Sequence, residues 1–259
     1  MEQEKSSFDY SAIPQGYYDV IASKKKGMRS FWHYLKFKQI INQFKNDGGA
    51  ILDIGCFAGT FLGMIPENLF SKQVGIDILE SQVKYASQKY ANSYRNFYHY
   101  QDFNKAEFIA DNTYDCITII EVIEHLSASE IEALFNFAHQ KLKPGGKLIL
   151  TTPNYASAWP VIELMLNSFS DVKYEEQHIS RFNYFNVHLK LDKIVANFHK
   201  KFTFQYKTTT HMLTPYVAVF SFRIAERIAS SISPKKWKIP FGSLLLFQLR
   251  KVDPDLSAS

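Results

Sequence analysis

Cysteine is nearly absent: two thiols, Cys56 and Cys116, occur in 259 residues. Each falls within a predicted strand of one sheet, one late in its strand and the other early. Parallel strands would hold the two thiols at opposite ends, too far apart for a disulfide. The chain therefore reads as one suited to a reducing, cytoplasmic setting. Long apolar runs are missing too, since nothing approaches the ~20 residues needed to span a bilayer. The opening M-E-Q-E-K-S-S-F-D-Y has no apolar core, so no signal peptide is expected. Charge of one sign is scarce: 30 Lys and Arg against 25 Asp and Glu leave +5. That balance tolerates an anionic partner but lacks the dense basic stripe that duplex binding needs. No internal repeat and no low-complexity tract is visible.

What is present is a globular composition. With 46% hydrophobic and 21% charged residues the chain can bury a sizeable core, and 22 Phe with 15 Tyr are enough to line a pocket as well. Residues 1–30 are polar and punctuated by P-Q-G (14–16) and S-K-K-K-G (23–27), which suggests an arm. Residues 31–45 place apolar groups at helical spacing, and N-D-G-G (46–49) ends that helix. Strands predicted at 50–56, 73–78, 96–102, 114–121 and 147–153 then alternate with helices at 59–65, 80–91 and 128–142, and K-P-G-G (143–146) turns the chain into the fifth strand. Alternation of this kind predicts parallel strands joined by right-handed crossovers, an α/β doubly wound open sheet. After Pro153 the pattern changes. Residues 155–185 are weakly periodic and contain Trp159, Pro160, Met165, Glu175, Glu176 and His178. Residues 186–200 suggest a helix, 200–208 and 242–251 two late strands, and 215–231 a mostly apolar helix between them.

The first strand runs into D-I-G-C-F-A-G-T-F (53–61). Gly55 and Gly59 permit a tight turn and close approach of backbone to a ligand, and the next helix offers its N-terminus. Asp53 could accept from loop amides or from a ligand's ammonium group. The second strand ends on Asp77, where an acid can bind both hydroxyls of a ribose. The third brings Asp102 and Phe103, a carboxylate for an adenine amino group and an aromatic for its ring. Singly, these residues also read as a sharp strand–helix turn and a loop-start acid. Together they fall at the carboxyl ends of adjacent parallel strands, where open α/β sheets bind ligands. The missing G-x-G-x-x-G disfavours a nicotinamide-dependent oxidoreductase and suits a cationic, phosphate-free nucleoside.

In order, I-L-D-I-G-C-F-A-G-T-F, V-G-I-D, Q-D-F, Y-D-C-I-T-I-I-E-V-I-E-H-L and L-K-P-G-G-K-L-I-L-T-T-P-N resemble the successive motifs of class I S-adenosylmethionine-dependent methyltransferases. The resemblance covers residues 48–154, and an ordered set of five motifs is specific. It implies a mostly parallel seven-stranded sheet ending in a C-terminal antiparallel hairpin, which 200–208 and 242–251 would supply. It also implies S-adenosyl-L-methionine as cofactor. Asp53, Gly55 and Gly59, with Cys56 beside them, would hold the methionine end; Asp77, followed by Ile78, would hold the ribose. Asp102 and Phe103 would meet the adenine, and Glu121 would orient the cofactor. Phe57 departs from the pattern, standing where many members have a second glycine. On this basis residues 1–45 are an arm and helix capping the cofactor site, and 46–259 a single methyltransferase domain. Within that domain 155–185 would be a substrate lid and 209–241 an insertion within the hairpin.

Methyl transfer from a sulfonium is an in-line displacement, so the enzyme mainly positions and desolvates its reactants. A hydroxyl acceptor must also lose its proton, to a base or with the help of a metal. E-V-I-E-H-L (121–126) bears on this step. Were a helical turn to begin near Val122, Glu121, Glu124 and His125 would share one face. With His178, from E-E-Q-H-I-S-R-F, they could hold a divalent ion such as magnesium with positions left open for substrate. Small-RNA 3′-terminal 2′-O-methyltransferases and ubiquinone-biosynthesis O-methyltransferases carry a similar E-x-x-E-H with a later histidine. Many bacterial methyltransferases of cell-surface sugar or lipid pathways read E-V-I-E-H-L without a metal, often with a later His and Phe like His178 and Phe182. There Glu121 would orient the cofactor, Glu124 cap a helix, and His125 pack or act as a base; His178 would be a catalytic lid residue or a solvated loop histidine.

The expected activity is methylation of a hydroxyl on a small molecule or a sugar- or lipid-linked acceptor. The alternatives are a metal-dependent RNA 3′-terminal 2′-O-methyltransferase and a non-catalytic nucleoside-binding regulator. An RNA end needs a basic groove with stacking aromatics, and Lys24–Lys26 with the tyrosines near 10–18 are a thin basis, so nucleic acid is not expected. Residues 215–231 with P-K-K-W-K-I-P (233–240) could lie on an anionic membrane, pack on the sheet, or form a dimer interface.

Overall fold

Seven strands form one sheet in the computed structural model, which describes residues 13–44, 48–163, 178–231 and 240–253. They are β1 (Ala50–Ile54), β2 (Lys72–Asp77), β3 (Arg95–His99), β4 (Tyr114–Ile120), β5 (Leu142–Pro153), β6 (Phe202–Thr210) and β7 (Leu244–Lys251). Their spatial order is β3-β2-β1-β4-β5-β7-β6. Strands β1 to β5 are parallel, and β7 lies antiparallel between β5 and β6. The expected doubly wound sheet with an antiparallel end is therefore present, and its order reverses between β1 and β4.

The described helices are α1 (Tyr17–Ser23), α2 (Gly27–Ile41), α3 (Thr60–Met64), α4 (Glu80–Tyr90), α5 (Ala128–Lys141), α6 (Val187–Ile194), α7 (Phe198–Lys201), α8 (Thr214–Phe220) and α9 (Phe222–Ser231). The central strands carry near-continuous apolar runs because helices cover both faces. Strand alternation divides those runs between two cores. Leu52, Ile54, Ile117 and Leu148 pack with Leu134 and Phe135 of α5 and Leu191 of α6. Ile51, Cys116 and Ile149 pack on the other side with Phe37 and Ile40 of α2, Phe61 of α3 and Val83 of α4. A slip of one residue would exchange the two sets, so the register is strongly specified. That register sets Cys116 beside Ile51, and both thiols are buried and outside any disulfide.

Several expectations needed correction. The supposed arm contains α1, which Asp19 anchors to α4 by accepting from the hydroxyls of Tyr85 at 2.8 Å and Tyr90 at 2.5 Å and pairing with Lys89. The helix expected at 186–200 is two helices, because Asn197 adopts the left-handed conformation (φ 55) that asparagine tolerates. The one expected at 215–231 breaks at Ser221, whose hydroxyl accepts from the Ile224 amide at 3.3 Å and starts a new helix. Strand β5 runs through the expected K-P-G-G turn, with a register shift opposite Tyr114 and Cys116. The excursion between β6 and β7 spans 211–243. Tyr10, Met165, Glu175, Glu176 and residues 233–239 lie outside the described residues. Among the described residues no helix is long and apolar enough to cross a membrane.

Helix α5 starts on a capping box: the Ser127 hydroxyl accepts from the Glu130 amide, and the Glu130 carboxylate accepts from the Ser127 amide at 2.8 Å. Ser127→Ala is expected to lower stability by about 1 kcal/mol, read as a lower urea midpoint at unchanged slope.

Candidate active site

A cavity of about 650 Å³ opens at the carboxyl ends of the central strands, where the strand order reverses. On its β1–β2 side the chain folds back because the Gly55 and Cys56 amides both donate to the Ile76 carbonyl, at 2.9 and 3.1 Å. Gly55 takes φ 78, and a Cβ there would strike Val122 at 2.5 Å. Phe57, in place of a second glycine, is itself left-handed (φ 46). It is held there by donating its amide to Asp77 Oδ2 at 2.7 Å. The other Asp77 oxygen accepts from Leu79 at 2.9 Å. Gly59 does not line the cavity; it caps α3 with φ 72, in space closed by Phe97 and Ala86.

Asp53 and Asp77 are both buried and both face this cavity. Asp53 accepts from Thr118, its register partner on β4, at 2.6 Å. Burial pushes its carboxyl up to about 7; Asp77 adds to the rise, while Thr118 and Lys36 oppose it. Burial raises Asp77 as well, against the amide hydrogen bonds of Leu79, Phe57 and Ile78. Two carboxylates short of positive charge suit a cationic or hydroxyl-rich ligand. Ile78 and Cys56 also line the cavity, Ile78 exposed and Cys56 with its thiol raised by burial. Asp102 accepts from the Lys105 amide at 3.1 Å, so it caps a short turn as well as lining the cavity. Phe103 packs between Tyr100 and Phe137.

The expected common face for Glu121, Glu124 and His125 does not form. Glu121 is left-handed (φ 52), and the helical turn that follows covers only Ile123–His125. Its carboxylate points to α2, pairing with Lys36 and accepting from the Trp32 indole at 3.4 Å. Burial would raise its pKa, yet Lys36, with His33 and His211, brings it down to about 2. Glu121 thus leaves the expected metal set, because its charge is already matched.

Glu124, His125 and His178 do converge, with ligating atoms within 4.8 Å of one another. The later segment is brought in by Ser180, whose amide donates to the Glu124 carbonyl at 2.9 Å and whose hydroxyl donates to that of Leu126 at 2.8 Å. His178 is buried rather than solvated, its ring 5.1 Å from that of His125. Its Nδ1 lies 2.6 Å from Glu163 and 2.9 Å from the Tyr155 hydroxyl. Glu124 is buried; burial and the charge of Glu121 push its carboxyl well above the usual range. Its Oε2 has no hydrogen-bond partner among the described residues.

Sequence reasoning missed Lys36, Trp32, His33, Tyr155, Glu163 and His211. Helix α2 showed only apolar periodicity, and nothing in the pattern separates an inward lysine from a surface one. Glu163 and Tyr155 sit in a weakly periodic stretch, where no local pattern marks them as partners of His178. Lys36→Met is expected to destabilise the protein by about 2 kcal/mol, since it leaves a half-buried carboxylate without its cation. Lys36→Met with Glu121→Gln should recover most of that loss in urea unfolding.

Comparison with known proteins agrees with this geometry. Residues 28–191, more than half of the chain, match a family described as a methyltransferase domain. Phosphoethanolamine N-methyltransferase of Plasmodium falciparum is 30% identical over 115 residues, 44% of this chain and 43% of that protein. Phosphoethanolamine N-methyltransferase 3 of Arabidopsis thaliana is 32% identical over 106 residues, 40% of this chain and 21% of that protein. The similarity thus spans less than half the length of these relatives. In fold the chain is similar to geranyl diphosphate C-methyltransferase of Streptomyces coelicolor, solved with Mg2+, geranyl diphosphate and S-adenosyl-L-homocysteine. That likeness has a TM-score of 0.58 at 13% identity and covers 93% of this chain and 85% of the other. With the family matched across α2 to α6 and the sheet ordered as described, the chain belongs to the class I S-adenosylmethionine-dependent methyltransferases.

Proposed function

We propose that this methyltransferase methylates a hydroxyl, on a small molecule or a sugar- or lipid-linked acceptor, activated at the Glu124–His125–His178 cluster. The observation that carries the reading is that cluster, a buried acid and two imidazoles lining the same cavity as Asp53 and Asp77. A hydroxyl must give up its proton to become a nucleophile, whereas an amine needs less help. Glu163 and Tyr155 position His178 through Nδ1.

Bound S-adenosylmethionine supplies a methyl group on a sulfonium. The residues on the β1–β2 side fit that cofactor: Asp53 for the ammonium, the Gly55–Cys56 backbone for the methionine end, Asp77 with Ile78 for the ribose, and Asp102 and Phe103 for the adenine. Glu121, with its charge matched by Lys36, orients the cofactor side of the cavity. Of the described residues, 13–44 cap the cofactor, a role supported by Tyr18, His33 and Lys36 in the cavity wall, and 155–163 with 178–185 border the acceptor, as Trp159, Ile162 and His178 suggest.

Glu124, His125 and His178 also fit a divalent cation. They offer three protein donors, Glu124 Oε2 is unsatisfied, and Glu163 holds the Nδ1 of His178 as an outer carboxylate does in metal sites. Such an ion would lower the pKa of the acceptor hydroxyl. Without it, His125 or His178 takes the proton directly.

Asp77→Ala should weaken S-adenosylhomocysteine binding at least about tenfold in calorimetry, the order of one lost charged hydrogen bond; unchanged affinity would remove the ribose assignment. An acceptor screen over quinols, sugars, lipid-linked alcohols and amines, read by S-adenosylhomocysteine release, tests the chemistry. Turnover of amines alone would overturn the hydroxyl reading. On the acceptor found, His178→Ala and Glu124→Gln should each lower kcat by about 10²–10⁴-fold while S-adenosylhomocysteine affinity stays unchanged. Activity abolished by EDTA and restored by Mg2+ would assign the cluster to a metal, and full activity in EDTA would assign it to direct proton removal.

A further inference from the structure

The excursion between β6 and β7 carries a surface that the methyl-transfer site does not use. Helices α8 and α9 lie on α2 through small residues: Ala218, Ala225 and Ala229 pack with Phe31 and Leu35. Their outward faces are apolar. Val219, Ile224 and Ile228 are exposed, and Phe220 is 91% exposed. An apolar ridge of this kind on a folded chain marks a contact surface.

The charges around the ridge are of one sign. Arg223 and Arg227, one turn apart on α9, are exposed beside Ile224 and Ile228, and Lys24, Lys25 and Lys26 are exposed in the turn between α1 and α2. That turn sits near α9: Glu226, held below the usual carboxylate range by Lys38 and Tyr34, also feels the charge of Lys25. The acids of the two segments, Asp19 and Glu226, are already ion-paired, with Lys89 and Lys38. Every other Asp, Glu, Lys or Arg in 13–29 and 211–231 is a cation.

The ridge also adjoins the active site. Pro215 and Tyr216 of α8 line the cavity, as do Met28 and Arg29 of α2. We propose that the α8–α9 face docks on an anionic lipid surface, and that the methyl acceptor is an amphiphile taken from that surface. Apolar side chains entering the headgroup boundary and cations meeting anionic lipid are the two terms that hold an interfacial helix. A second copy of the chain fits less well, since it would bring five cations against five. Docking does not depend on the acceptor being a hydroxyl, and a binding assay without turnover tests it separately.

The full chain is sedimented with sucrose-loaded vesicles of phosphatidylcholine alone or in an equal mixture with phosphatidylglycerol. Capture is expected on the mixed vesicles only, with release at high salt. Arg223→Gln with Arg227→Gln should weaken capture roughly 25-fold, at about 1 kcal/mol for each lost cation. Phe220→Ser with Ile224→Ser should weaken it as well. Both variants should keep wild-type S-adenosylhomocysteine affinity, which shows that the fold and cofactor site are intact. Absence of capture, or equal capture on both vesicles, would overturn the proposal. So would a wild-type dimer in light scattering that the Phe220→Ser and Ile224→Ser change converts to monomer.

Discussion

A carboxylate partly enclosed in the cavity wall at the end of β4 is held charged by a cation close by, and Lys36 of α2 supplies it. Much of the site depends on this pair. It fixes the polar side of α2 over the strand ends, where Trp32 and His33 then join the wall. Glu121, left-handed and paired with Lys36, stands outside the turn that carries Glu124 and His125. Of the pair's two charges, Glu121 adds to the burial that raises Glu124, and Lys36 opposes that rise. Within six residues of sequence, one acid is therefore paired to α2 and the next stands beside two histidines.

The two ends are built on different physics. At the β1–β2 end, Asp53 and Asp77 are desolvated acids whose local partners are a hydroxyl and backbone amides rather than cations. That arrangement is costly until a ligand with positive charge and hydroxyl donors arrives, which is the chemistry of S-adenosylmethionine. At the other end the geometry comes from long-range packing. Asn154, fully buried, donates to the carbonyls of Pro240 and Gly242 at 2.8 Å and accepts from Tyr184 at 3.0 Å. Phe182, also buried, enters the core. Between those anchors His178 is carried to His125.

The helices α8 and α9 add a third element. Their alanines allow close packing on α2, so the same helix that holds Glu121 also supports the exposed apolar ridge. The exposed apolar ridge and the cavity therefore share α2 as a common support.

The strand–helix alternation and the acids at or just after the ends of β1, β2 and β3 were legible in the residues alone, and the family resemblance implied the seven-stranded sheet. Burial on both faces imposes an apolar run on each central strand, and tight turns impose glycine, so these features leave local signatures. Helix breaks at Ser221 and Asn197 were legible only afterwards, because a polar residue inside a helical pattern is ordinarily tolerated. The metal or base cluster was half legible. Residue types at 121–125 and 178 were visible, but the left-handed turn at Glu121 was not, since Lys36 lies 85 residues away in the chain and a pairing at that distance has no local pattern. Glu163 and Tyr155 were hidden for the same reason. The sequence by itself determined the sheet and the glycine and acid positions at its strand ends, because both arise from short-range periodicity and turn chemistry. Only the tertiary structure decided which acid is neutralised and which histidines meet, because those depend on which distant side chains share a buried space.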